Sequence, residues 1–298
     1  MYFIVLNVFS VVIFLSSIYR ANQKYTIAQL ATNGWKIVVV ALFFILFQDK
    51  MLQLLVISLA FIAILLIGLY LKNFRNIPSE EKGNYNFKEL RKTGLAFFLH
   101  NMTLTSAIYG EQFIINLCGN ETISSELFMY FAVFSPIILS ANGFIGFIIG
   151  PKLRAKKEIF RSEYNKLQVK LLGFAIVMSL ISLGAGILLL DWYKGIPMNQ
   201  VNVALVICVL ICCVIRTVYT ASSLYLGVFG SNKHLYKTAG LNWGALIGYI
   251  TLVLLSLISN IAIEIIIVVI ASLTTLHWLI RLIISHSYAV KVFIDEKN

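Results

Sequence analysis

The residues that could do chemistry here are charged and polar side chains placed inside long apolar runs. Glu111 is followed by Gln112, Arg216 stands deep within another run, and Arg281 follows His277 by one helical turn. Lys36 and Glu264 open two further runs, and His100, Asn101 and Asn242 lie inside others. Charge in hydrocarbon is costly, so such side chains face a cavity or a partner, and each is a functional candidate. Arginine offers phosphate oxygens a planar fork, whereas lysine acts as a point charge. Arg216, Arg281 and Lys36, with Asn101 and Asn242 as neutral hydrogen-bonding groups, are the candidate contacts for an anionic substrate such as a lipid phosphate or pyrophosphate. Glu111 is the candidate for ion coupling, or for balancing the charge of an arginine. Blander readings stay open beside these. Lys36 at the edge of its run and Arg281 near the end of its own are within snorkelling reach of an interface. Glu111, six residues from a run's end, could be wet and structural, and the histidines could serve as core or interface residues.

Other chemistries find no motif. The sequence contains no P-loop, no HExxH, no GxSxG and no DxD pair. The four cysteines are Cys118, Cys208, Cys212 and Cys213. Three share one apolar run, with neither metal-site spacing nor a disulfide framework, so they read as small packing residues. No metal and no cofactor are expected, no enzyme is expected, and nothing in the motifs supports intramembrane hydrolysis or glycosyl transfer. Asn120-Glu121-Thr122 forms a sequon that has no meaning in a bacterium.

The elements that must position these residues follow from composition. Of 298 residues, 59% are apolar and 12% charged, and the mean hydropathy is +0.87. A soluble domain is about 45–50% apolar and about 25% charged. Half that charge cannot cover a soluble surface, which excludes an ordinary cytosolic enzyme, a nucleic-acid-binding domain and a disordered chain. The expected fold is all-α and polytopic. A spanning helix needs roughly 20 mainly apolar residues, because hydrocarbon leaves no partner for free backbone groups. Nine candidate spans read as 2–18, 35–47, 51–71, 94–117, 127–149, 171–190, 201–228, 238–258 and 261–285.

The loops between them sort by charge. Of the 24 basic residues, twenty fall on one side and two, Lys50 and Lys194, on the other. That asymmetry predicts the rich side to be cytoplasmic, with Met1 outside and Asn298 inside. The first run lacks a basic n-region and a small-residue cleavage site, so it does not read as a signal peptide. Residues 73–92 form the most polar stretch and read as a linker between two halves. Residues 152–170 read as one basic amphipathic helix at the cytoplasmic headgroups. Gly240, Gly244 and Gly248 recur every fourth residue, as do Gly146 and Gly150, a spacing that lets helices approach closely. Pro136, with Asn142-Gly143, is placed to bend the fifth span.

The order of segments resembles the Wzx-type lipid-linked oligosaccharide flippases of the multidrug/oligosaccharidyl-lipid/polysaccharide exporter superfamily. The stretches concerned are 19–44 (YRANQKYTIAQLATNGWKIVVVALFF), 94–137 (GLAFFLHNMTLTSAIYGEQFIINLCGNETISSELFMYFAVFSPI), 148–155 (IIGPKLRA) and 225–250 (YLGVFGSNKHLYKTAGLNWGALIGYI). Glu111 falls at the family's acidic position, with Gln112 where a basic residue is common. Phe128–Tyr130 matches the following turn only loosely, Pro151 matches the proline closing the next span, and Gly230–Lys233 resembles the turn before the penultimate helix. Members have about twelve or more spans and a cytoplasmic N-terminus, so nine spans beginning outside look like the last nine of twelve. The resemblance implies a remnant N-terminal lobe at 1–72, a cytoplasmic linker at 73–93, a six-span C-terminal lobe at 94–285 and a cytoplasmic tail at 286–298. It also implies alternating access around a central cavity in the bacterial cytoplasmic membrane. Undecaprenyl-pyrophosphate-linked repeat units would be flipped there for O-antigen, capsule or exopolysaccharide synthesis. The implied partners are the anionic lipid-linked oligosaccharide, membrane lipid, and the polymerase and chain-length proteins of that synthesis, with no nucleic acid. Two alternatives stand beside it: a multidrug or cation antiporter of the same superfamily, and a membrane-embedded polysaccharide polymerase or acyltransferase.

Overall fold

The computed structural model describes residues 11–12, 14–16, 18–19, 24, 26–28, 51–74, 87–156, 160–259 and 261–295. Among them the regular structure is helical, with no strand. The helices are α1 (Met51–Phe74), α2 (Phe87–Cys118), α3 (Glu121–Phe134), α4 (Pro136–Arg154), α5 (Arg161–Lys194), α6 (Val203–Phe229), α7 (Asn232–Ile258) and α8 (Ile263–Asp295). A 3-10 turn, Met198–Gln200, lies between α5 and α6. Five helices, α4 to α8, are long and apolar enough to cross a membrane. The chain is therefore an all-α, multi-pass membrane protein.

Nine spans are not all present as expected. The candidate at 35–47, with Lys36, lies outside the described residues, and the one at 2–18 is described only in part. Helix α2 is 32 residues long yet too polar to count as a span by hydropathy, because its inner face carries His100, Thr103 and Glu111. Residues 152–170 are not one helix. The chain leaves α4 at Arg154 and re-enters helix at Arg161, where Phe160 is extended. Lys156 and Glu163 close that turn with a 2.6 Å ion pair. The expected tail is helical through Asp295, and α2 starts at Phe87, inside the expected linker.

The chain divides into two compact units, Met1–Tyr85 and Asn86–Asn298. In the first, the Tyr19 hydroxyl donates to the Leu66 carbonyl at 3.1 Å, and the Ser16 hydroxyl donates to the Ala28 carbonyl at 3.1 Å. The second holds α2 to α8. Here α6 is central, packing on α8, α5, α4 and α3; α8 also packs on α7, and α7 on α2. Turns are written into the sequence at helix starts. The Asn120 and Asn202 side chains accept from the backbone N–H groups of Ile123 and Leu205, capping α3 and α6. Gly195 ends α5 in the left-handed region (φ 63°), which suits a residue without a Cβ.

Pro136 breaks the fifth expected span into α3 and α4. It cannot donate to the ladder, and its ring crowds the preceding turn. Ser135 alone lies between the two helices, and Leu139 N–H donates back to its carbonyl. Outward faces are apolar: Leu180, Leu188, Ile247, Leu255 and Ile283 are each more than half exposed. In water that would be an aggregation surface, and in lipid it is the expected exterior. Inside, Gly146 and Gly150 of α4 sit 3.7 Å from Thr220 and Leu224 of α6, measured from where a Cβ would stand. Gly240, Gly244 and Gly248 instead face open space, so the expected close packing of α7 does not occur there. The glycine that matters most for packing is one the spacing did not single out. A Cβ at Gly186 of α5 would clash with the ring of Phe134, which is fully buried.

Candidate functional site

Helices α2, α3, α4, α6 and α8 surround a cavity of about 440 Å³ in the second unit. Its polar wall is Glu111, Gln112 and Asn116 of α2, Arg216 of α6 and Thr274 of α8, with Ser135 at the proline break. Its apolar wall includes Leu127, Phe128 and Phe131 of α3. The break at Pro136 sets this geometry. Phe131 and Ser135 line the cavity on one side of the kink and Leu139 on the other.

Glu111 is only 6% exposed and its Oε1 lies 2.8 Å from Nδ1 of His277, itself 2% exposed. Nδ1–H therefore donates to the carboxylate. The imidazole stacks on Tyr249 (centroids 5.0 Å, 18°), whose hydroxyl is 3.1 Å from that of Thr274. His277 Nε2 is buried without a hydrogen-bond partner. Sequence reasoning placed His277 on the face of Arg281 but did not pair it with Glu111. Helical spacing relates residues within one helix, whereas this contact joins α2 to α8 across 166 positions.

Arg216 is the second cavity charge. Its guanidinium carbon lies 4.5 Å from the Trp278 ring centre, a cation–π contact that holds the fork without neutralising it. No carboxylate pairs with it among the described residues. Arg281 lies behind the cavity wall. It is fully buried, sits over Trp278 and Tyr219 at 5.4 and 5.7 Å, and donates through Nη2 to Thr103 Oγ1 at a long 3.4 Å. Its Nε and Nη1 have no partner. Thr103 can accept because its own hydroxyl proton goes to the His100 carbonyl at 2.8 Å. Trp278 thus lies beside both arginines, and Tyr219 meets it edge-on at 5.6 Å.

Two other expected site residues, Asn101 and Asn242, do not join the cavity. Asn101 is exposed on α2 and does not line it. Asn242 is fully buried on α7 with both amide atoms unpartnered, and it too is absent from the lining. Lys36 falls outside the described residues. His100 meets Ser223 of α6 at 3.3 Å, a contact between helices. Among the described residues no group of three or more His, Cys, Asp or Glu side chains is placed to hold a metal ion.

No family model, no curated protein and no solved structure matches this chain.

Proposed function

We propose that this protein is a transporter that moves an anionic lipid-linked oligosaccharide across the bacterial cytoplasmic membrane. The substrate is a polyprenyl-pyrophosphate-linked repeat unit, and the process served is surface polysaccharide synthesis. One observation carries the reading. The cavity's buried acid, Glu111, is hydrogen-bonded to His277 and forms no direct ion pair with Arg216, whose guanidinium is seated on Trp278 on the same wall. A guanidinium without a direct ion pair inside a membrane bundle recruits an anion, and its fork matches phosphate oxygens. Phe128 and Phe131 give the opposite wall flat apolar faces suited to sugar rings. The basic loops orient the C-terminus toward the cytoplasm, and alternating access exchanges the cavity between leaflets.

The alternatives fit this cavity less well. A site for organic cations needs a carboxylate clear of fixed positive charge, and Glu111 shares its cavity with Arg216. An enzyme using the Glu–His pair as a base needs the free imidazole nitrogen beside substrate. Nε2 of His277 is buried, and His277 does not line the cavity.

Native mass spectrometry of the purified chain tests the recognition step. A polyprenyl pyrophosphate should bind in preference to the neutral polyprenol, and Arg216→Gln should reduce that preference about tenfold or more, the scale of one lost charged hydrogen-bonding group. Equal binding of the two lipids would contradict the proposal.

A further inference from the structure

Glu111 and Arg216 share one cavity, and Glu111 is hydrogen-bonded to a histidine. We infer that the Glu111–His277 pair is a proton-binding element that sets the cavity's affinity for anions, so that a proton and an anion bind there cooperatively. The inference rests on the reading of Arg216 as an anion contact.

The groups around the pair decide its charge. From α6 come Arg216 and the thiol of Cys212, and from α7 the Tyr249 hydroxyl, while Arg281 of α8 sits one turn beyond His277 against Trp278, Tyr219 and Thr103. The cavity residues of α3 and α4 include no titratable group, and α2 adds only the neutral Gln112 and Asn116 beside Glu111. Among the described residues the fixed charges nearby are thus two guanidinium groups, of which Arg216 lines the cavity. With a neutral imidazole the pair carries −1, and with one more proton it carries zero, whichever of the two side chains holds it. Glu111 is the member that lines the cavity, so the proton enters there, from solvent in the cavity. Loading it removes the negative charge that competes with an incoming anion for Arg216. Burial makes this matter, because charges in such a site are poorly screened. Linkage is reciprocal: an anion on Arg216 must favour the protonated pair by the same factor by which protonation favours the anion.

This direction has a consequence for transport. Proton and anion occupy the cavity in the same state and travel together. Exchange in opposite directions would need them to compete.

Trp278 supplies the test, since it stacks against Arg216 and neighbours His277 at 6.1 Å between centroids. The full chain would be purified with Trp35, Trp192 and Trp243 changed to Phe, leaving Trp278 as reporter. Sulfate serves as probe, being a tetrahedral anion that keeps its charge over the range used. Its affinity should be about tenfold tighter near pH 5 than near pH 8, within the usual span of coupling between sites. Glu111→Gln should bind sulfate tightly at both pH values, and His277→Gln weakly at both. Sulfate bound equally well by the parent chain at both pH values would overturn the inference and leave the anion reading standing. Tighter binding near pH 8 would overturn it in sign. No binding at either pH would take down both. The parent chain alone decides the matter if a variant fails to fold.

Discussion

At the scale of single residues, three charges define the site and only one is both unpaired and on the cavity wall. Arg216 meets both conditions. Arg281 is buried behind the wall, and Glu111 is bonded to His277. Function should therefore be asymmetric. In cells, Arg216→Gln is expected to lower export of repeat units at least tenfold with normal protein levels, while Asn101→Ala, at an exposed position off the cavity, should leave export unchanged. Quantifying surface polysaccharide in both strains checks this. Much of the residue-level picture was legible in the sequence, since a charge inside an apolar run is conspicuous. Its pairing was not. Nothing in local spacing says that Glu111 meets His277 in preference to either arginine, because that contact joins side chains of α2 and α8 across 166 positions. The aromatic seat of Arg216 was equally hidden, since nothing in the sequence sets Trp278 apart from its apolar neighbours.

At the scale of elements, the kink at Pro136 was readable because proline's missing donor acts locally. The close contact of α5 with α3 was not, since Gly186 stands out only once Phe134 is seen against it. Gly186→Ala should cost about 1–3 kcal/mol by overpacking a rigid ring. The Ser182 hydroxyl, bonded to the Phe134 carbonyl, pins that ring's backbone further. By contrast Gly240→Ala should cost nothing measurable or stabilise slightly, because a Cβ there meets open space and alanine is the better helix former. Thermal unfolding of the two variants in the same detergent separates them. A larger loss for Gly240→Ala than for Gly186→Ala would mean that the packing of α5 is misread. The spacing rule for small residues identified a helix surface correctly in α4 and not in α7. A stripe of glycines permits approach without dictating it.

At the scale of the whole molecule, charge asymmetry predicts which end of the second unit meets the cytoplasm. Cys118 is exposed at the end of α2 farthest from the basic loops, while Cys212 and Cys213 are buried. A membrane-impermeant maleimide added to intact cells should label Cys118. A cysteine placed at Lys156 should react only after lysis, and its exposed ion pair contributes at most about 1 kcal/mol, so the substitution should be tolerated. Labelling in the reverse order would invert the topology. Composition alone was enough to reach an all-α membrane protein, because low charge and long apolar runs leave few other solutions. The boundaries at Phe87 and Asp295 were not legible, since helices continue past the hydrocarbon wherever polar ends can pack on one another. The most direct test of transport is deletion of the gene followed by lipid extraction and mass spectrometry. The account predicts that complete lipid-linked repeat units accumulate, that surface polysaccharide is lost, and that the parent chain but not Arg216→Gln reverses both. Intact polysaccharide with no accumulated intermediate would contradict it.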